Sequence, residues 1–369
     1  MVYYLLLGFY LFAGFFDNTK IQSGKTRKIR IIVYLLPLFI LAAFRDVSIG
    51  NDTSTYFRTF LLAQRSDSLF AAVQASRLEP GYLIINYVLS HLGCSFNIFQ
   101  VVITLFIYFS LGRAIYHYSE NIALSCFLFF ASGEFFGTMN TTRMWLAIAI
   151  LLFSIRFIQE RKPLKFIVIV LLAMMFHYTA LIFIILYPLC TTKIDSFKSF
   201  ALIALSVVAG LFAVNILTVI TSRLGMYQNY LTGRRADTSG NIAIYTSLIT
   251  NLLFLGFAAY EKLQQKPVLF DDFNNEKGET VSVNSIYYIS MFVIVGLGLI
   301  GLSNTIMSRV RGYFETLVIF IIPVCLNNVR VKSNKRIVQF VICALLAIEI
   351  VYIINYRAGW YGVTPYRFF

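Results

Sequence analysis

The sequence predicts an all-α polytopic membrane protein. One transmembrane domain covers residues 1–369, with about 10–12 membrane-spanning segments. Three observations predict it. Of the 369 residues, 59% are hydrophobic and only 13% charged, against roughly 45–50% apolar and 25% charged in an ordinary soluble domain. Mean hydropathy is +0.75, and apolar runs recur with basic residues between them, as spans and short loops do. A span needs about 20 mostly apolar residues. The apolar content therefore caps full crossings at about ten or eleven and leaves no room for a separate soluble domain. A soluble enzyme and a disordered chain are both excluded.

The clearest spans run over about 2–16, 29–44, 97–112, 121–136, 143–158, 199–219, 242–260, 285–303, 312–329 and 337–355. The first lacks a basic leader and a small-residue cleavage site, so it reads as a span that stays. Two further apolar stretches do not fit a full crossing. Residues 81–92 are too few, and 165–189 carries His177 at its centre. The loops 20–30, 159–165 and 330–336 are basic and therefore cytoplasmic. With residue 45 outside and residue 160 inside, one candidate between them must fail to cross, and 81–92 is the best choice. The same count makes 165–189 enter and return on one side. The expectation is ten crossings, two partial or re-entrant segments, and both termini outside. Irregular backbone at membrane depth is tolerated only against protein or a wet cavity, so a cavity is expected near His177.

Lys and Arg number 31 against 17 Asp and Glu, a net charge of +14. In a soluble protein that excess would suggest nucleic acid. Here it lies in short loops and signals topology, so the partner is the bilayer and not nucleic acid. Cys94, Cys126, Cys190, Cys325 and Cys343 sit in or beside apolar runs and read as packing residues. No His, Cys or carboxylate spacing fits a metal, and no nucleotide-binding fingerprint appears, so neither metal nor cofactor is expected. Arginines nevertheless recur in outer segments 45–79, 134–143, 221–241 and 304–311. Anion binding is the natural reason for breaking the inside rule there.

Each candidate has a plain structural alternative. Arg45 and Asp46 could be a surface ion pair, and Asp52, after the Gly50-Asn51 turn, could cap a helix. Glu79 before Pro80-Gly81 suits a helix start. Asn140 or Thr141 can cap the helix that opens at Arg143. Arg143 then lies at the wrong end of its helix dipole and needs an anion, either Glu134 or a ligand phosphate. His177 is either a buried structural histidine or a base or substrate contact. Arg311 can pair with Glu315 at i,i+4, which leaves Arg309 without an obvious partner. The aromatic stretch 356–369 suits the membrane interface.

The pieces occur in a telling order: Arg45-Asp46 with Gly50-Asn51-Asp52, then Glu79-Pro80-Gly81-Tyr82, Met139-Asn140 with Arg143, His177-Tyr178, Arg309 with Arg311-Gly312-Tyr313, and Thr364-Pro365-Tyr366. In this order the chain resembles the EpsG family of Wzy-type O-antigen and capsular polysaccharide polymerases, over nearly its whole length. Two positions depart from the family pattern. Asn51 stands where the family often has Thr, and Met144 where it often has Gln, so any role of those two is lost here. The resemblance implies a GT-C-like helical bundle that acts as a glycosyltransferase. It would be multi-pass in the cytoplasmic (inner) membrane, with its active face periplasmic or extracellular. Donor and acceptor would be undecaprenyl-pyrophosphate-linked oligosaccharide repeat units, and a chain-length regulator protein would be a further partner.

On that reading an acceptor hydroxyl attacks the anomeric carbon of the lipid-linked chain, and undecaprenyl pyrophosphate leaves. Arginines would stabilise the leaving group without a metal. Arg143 and Arg309 are the main candidates, with Arg45, Arg311 and Asn140 in support. His177 and Asp52 are candidate bases, with Glu79 behind them. Three rivals remain. A metal-dependent transferase for polyprenyl-phosphate sugars would use Asp46 and Asp52. An O-antigen ligase would share the chemistry. A lipid-linked oligosaccharide flippase would want polar groups spread through mid-depth.

Overall fold

A computed structural model describes residues 1–16, 24–74, 76, 78–191, 245, 248–257, 281–302, 305–329, 332–356, 359 and 361–369. Among these there is no strand, only one antiparallel bridge between Arg45 and Phe368. The chain is an all-α polytopic membrane protein. Its helices are α1 (Val2–Phe16), α2 (Gly24–Ala43), α3 (Thr53–Gln64), α4 (Leu69–Gln74), α5 (Pro80–His91) and α6 (Phe96–Tyr118). They continue as α7 (Ile122–Ala131), α8 (Glu134–Asn140), α9 (Thr142–Leu151), α10 (Ile155–Gln159), α11 (Pro163–Met174), a 3-10 helix (Tyr178–Ile185) and α12 (Leu186–Thr191). The remainder are α13 (Leu248–Phe257), α14 (Val283–Gly301), α15 (Thr305–Glu315), α16 (Val318–Asn328) and α17 (Lys332–Tyr356).

Among the described residues four stretches are long and apolar enough to cross a bilayer: α6, the run Thr142–Gln159, α14, and Asn334–Tyr356 within α17. Two bent pairs bring the number to six, α7 with α8 at 57° and Arg309–Glu315 with Val318–Asn327 at 41°. The expectation of about 10–12 was higher. Part of the difference falls on shorter apolar helices such as α1 and α13, and on the basic-ended α2. The expected span 199–219 and the outer segment 221–241 lie outside the described residues.

Contacts sort the chain into two compact units. One comprises Met1–Arg156, Leu164–Leu181 and Val329–Phe369, the other Phe157–Pro163 and Ile182–Asn328. In the first, α1 packs on α7 and α17, α2 on α6, α3 on α5, and α6 on α9. Every residue of α7 is buried, as befits a helix apolar on all sides. Polar groups tie its neighbours together. Gln339 Nε2 donates to Gly14 O (2.5 Å) between α17 and α1, and Tyr10 Oη to Tyr34 O (2.5 Å) between α1 and α2. Arg27 does more than add charge between two apolar runs. It donates to Tyr116 O, Ile115 O and Ser119 O, closing the open carbonyls at the end of α6. In the second unit α14 packs on α12, α15 and α16, and Phe183 stacks on Phe314 at 5.2 Å.

Candidate active site

The site begins where α2 ends. A helix leaves its last four carbonyls without partners in its own ladder. Here distant residues take them up. Tyr366 Oη donates to Leu41 O (2.7 Å), Gln100 Nε2 to Ala43 O (3.1 Å) and Phe369 N to Phe44 O (3.2 Å). Ala42 O accepts from Arg45 Nη1. Arg45 is 2% exposed, and its Nη2 reaches Thr142 Oγ1 at 3.3 Å. A cation is favoured at a helix C-terminus. Burial pushes its guanidinium down to about 10, which leaves it protonated at neutral pH. No carboxylate pairs with it among the described residues. The alternative of an Arg45–Asp46 ion pair is therefore not realised. Asp46 Oδ1 accepts from Ser48 Oγ (2.6 Å) and Ser48 N (2.9 Å), and these bonds hold its carboxyl below the usual range.

The loop after Arg45 is wedged between two partners. Gly50 has φ +90°, and a Cβ there would strike the Met139 carbonyl. Only glycine fits that turn against α8. On the other side lies the C-terminal stretch. Gly50 N donates to Gly362 O (2.8 Å), Asp46 N to Arg367 O (2.9 Å) and Asn51 Nδ2 to Gly359 O (3.1 Å). The stretch expected at the membrane interface is thus a strap that fixes this loop. Asp52 does stand at the N-cap of α3, but its side chain makes no capping bond. Thr141 caps α9 by position only; its Oγ1 turns back to Gly137 O (3.2 Å).

Arg143 opens α9, and its anion is not the neighbouring Glu134. Its Nη1 pairs with Glu79 Oε2 from the start of α5. Glu134 was the nearer candidate in sequence, but the helices bring Glu79 to Arg143 from 64 residues away. The other oxygen, Glu79 Oε1, accepts from Tyr178 N at 3.3 Å. Glu79 has no side-chain capping role at α5. The Arg143 guanidinium also lies 5.7 Å from the centroid of the Tyr56 ring, a contact that attracts a cation. Burial pushes the Tyr56 phenol up to about 12 against the opposing pull of Arg143, so it stays protonated. Arg143 keeps 19% of its side chain exposed while Glu79 keeps 3%. Its Nε is buried without a hydrogen-bond partner among the described residues.

His177 lies at a break in the stretch 165–189. α11 stops at Met174, and the 3-10 helix starts at Tyr178. Such a break frees main-chain groups that must be satisfied inside protein. Gly81 N donates to Met175 O at 2.8 Å. A Cβ on Gly81 would sit 2.8 Å from that oxygen, so the start of α5 reaches the break only as glycine. The two stretches that fitted no full crossing therefore meet here. His177 is half-buried, and its Nδ1 shares a proton with Thr179 Oγ1 at 2.8 Å. Asn140 ends α8 with its Oδ1 buried and without a hydrogen-bond partner among the described residues.

Arg309 and Arg311 belong to the second unit. Arg311 is buried and pairs with Glu315 at 2.8 Å, as the i,i+4 spacing suggests. Asn251 Nδ2 also donates to Glu315 Oε1 (2.8 Å). Arg309 is exposed and, contrary to expectation, is not without a partner. No group of three His, Cys, Asp or Glu side chains converges among the described residues in a way that could hold a metal.

The sequence profile of the EpsG family matches residues 28–368. The chain belongs to the EpsG family. That family is one of Wzy-type polymerases, which makes this chain a membrane polysaccharide polymerase in general terms. A search of curated proteins and a search of solved structures found no match. In this EpsG-family chain every motif that carries the resemblance lies in the first unit, except the one at Arg309 to Tyr313. Within it Arg45 bonds Thr142, next to Arg143, Gly50 abuts Met139, Glu79 pairs with Arg143, and Tyr366 bonds Leu41 at the end of α2. Sequence reasoning missed Gln100, Thr179 and the Tyr178 N–H. A buried Gln in an apolar run was the only available signal for the first. The other two lie beside His177 and show up only when the helix breaks.

Proposed function

We propose that this protein polymerises undecaprenyl-pyrophosphate-linked oligosaccharide repeat units at the outer face of the cytoplasmic membrane. The observation that carries this reading is a half-open Arg143 with a spare buried donor, held beside the His177 break by Glu79. In the reaction the acceptor hydroxyl oxygen attacks the anomeric carbon of the lipid-linked chain. The bond from that carbon to the pyrophosphate oxygen breaks, and undecaprenyl pyrophosphate leaves with the electron pair. His177 takes the hydroxyl proton. Arg143 faces the growing negative charge on the phosphates. Such a leaving group needs charge stabilisation more than it needs an acid.

The other arginines take different parts in this reading. Arg45 is buried with both Nη atoms engaged, so it supports Thr142 and the start of α9. Arg309 and Arg311 remain candidate phosphate contacts in their own unit. Asp52 is the second candidate base. The test is Arg143→Ala and Arg143→Lys in cells, reading polymer length at equal protein level. Loss of one electrostatic stabiliser costs roughly 10²–10³ in rate, so Ala should leave single repeat units on the lipid. Lys should rescue only weakly, because it lacks the two-pronged contact. Full-length polymer from both variants would remove Arg143 from the mechanism.

A further inference from the structure

We infer that the Glu79 carboxylate occupies the seat of a substrate phosphate and must be displaced when the lipid-linked diphosphate binds. This rests on the function proposed above. The two Glu79 oxygens sit on two different donors, the Arg143 guanidinium and the Tyr178 main-chain N–H that opens the 3-10 helix. Guanidinium groups and helix-opening N–H groups are the donors that phosphates use. The site also offers more donors than Glu79 satisfies. A guanidinium carries five N–H groups, while Glu79 accepts through Nη1 and leaves the buried Nε unmatched among the described residues. A phosphate brings three or more acceptor oxygens and suits that surplus. A phosphate and the Glu79 carboxylate on one guanidinium would repel each other. Binding therefore drives Glu79 off, and its return helps expel the spent undecaprenyl pyrophosphate.

The experiment uses the purified full-length protein in detergent with undecaprenyl pyrophosphate as the probe, and reads the dissociation constant. Glu79→Gln keeps an oxygen for the Tyr178 N–H and removes the competing charge. It should bind the probe about tenfold more tightly than wild type, the size expected when a like charge is removed at contact range. Arg143→Ala should bind at least tenfold more weakly. If Arg143→Ala weakens binding while Glu79→Gln leaves it unchanged or weaker, the displacement fails and the anion role of Arg143 survives. If Arg143→Ala leaves binding intact, the proposed function fails first. Should Glu79→Gln not accumulate, Glu79→Asp serves instead. Its shorter arm cannot hold both donors, so it should bind about threefold more tightly, and equal or weaker binding overturns the inference.

Discussion

At the scale of single residues, helix packing decides which group each charged side chain meets. Arg45, Glu79, Arg143 and His177 stand out from sequence because charged groups at apolar boundaries need a reason. Their partners depend on which helices pack together. Glu134 is near Arg143 along the chain, yet Glu79 reaches it through the contact of α5 with the His177 break. Arg45 is a buried helix cap, because its side chain folds back onto the open Ala42 carbonyl at the end of α2. Gly50 carries a prediction at this scale. Its φ of +90° and its contact with the Met139 carbonyl exclude a side chain. Gly50→Ala should destabilise the protein by about 1–3 kcal/mol and lower its melting temperature in detergent. An unchanged melting temperature would mean that the loop does not hold α8 as described.

At the scale of elements, the two stretches that the crossing count set apart touch each other in the structure. The stretches 81–92 and 165–189 both failed the count, and the structure shows why they belong together. α5 is one short helix whose first turn bonds, through Gly81 N, to Met175 O in the break between α11 and the 3-10 helix. The C-terminal strap was hidden, since no hydrophobic period reports which main-chain groups will bond. Its contribution can be measured. Removing residues 362–369 strips the donors from Leu41 O and Phe44 O and the acceptors from Asp46 N and Gly50 N. Each buried orphan costs about 1–3 kcal/mol. The truncated protein should still insert, because its spans are intact, but should form no polymer. Tyr366→Phe loses a single bond worth about 1 kcal/mol and should keep activity with a modest drop in melting temperature. Normal polymer from the truncated chain would show that the loop positions itself without the strap.

At the scale of the whole molecule, composition alone settles the class: 59% apolar residues leave a helical membrane protein as the economical fold. The number of crossings is less legible, because Gly, Pro and turn residues divide apolar runs into bent pairs such as α7 with α8. What the fold achieves is to gather the motifs at Arg45, Glu79, Arg143, His177 and Tyr366 into one unit. In the proposed reaction Arg143 is the group that meets the departing diphosphate. Reconstituted full-length protein supplied with undecaprenyl-pyrophosphate-linked repeat units tests it most directly. Wild type should yield a ladder of longer lipid-linked glycans with one undecaprenyl pyrophosphate released per bond formed, and Arg143→Ala should yield neither. An equal ladder from Arg143→Ala, or no ladder from wild type with this donor, would contradict it.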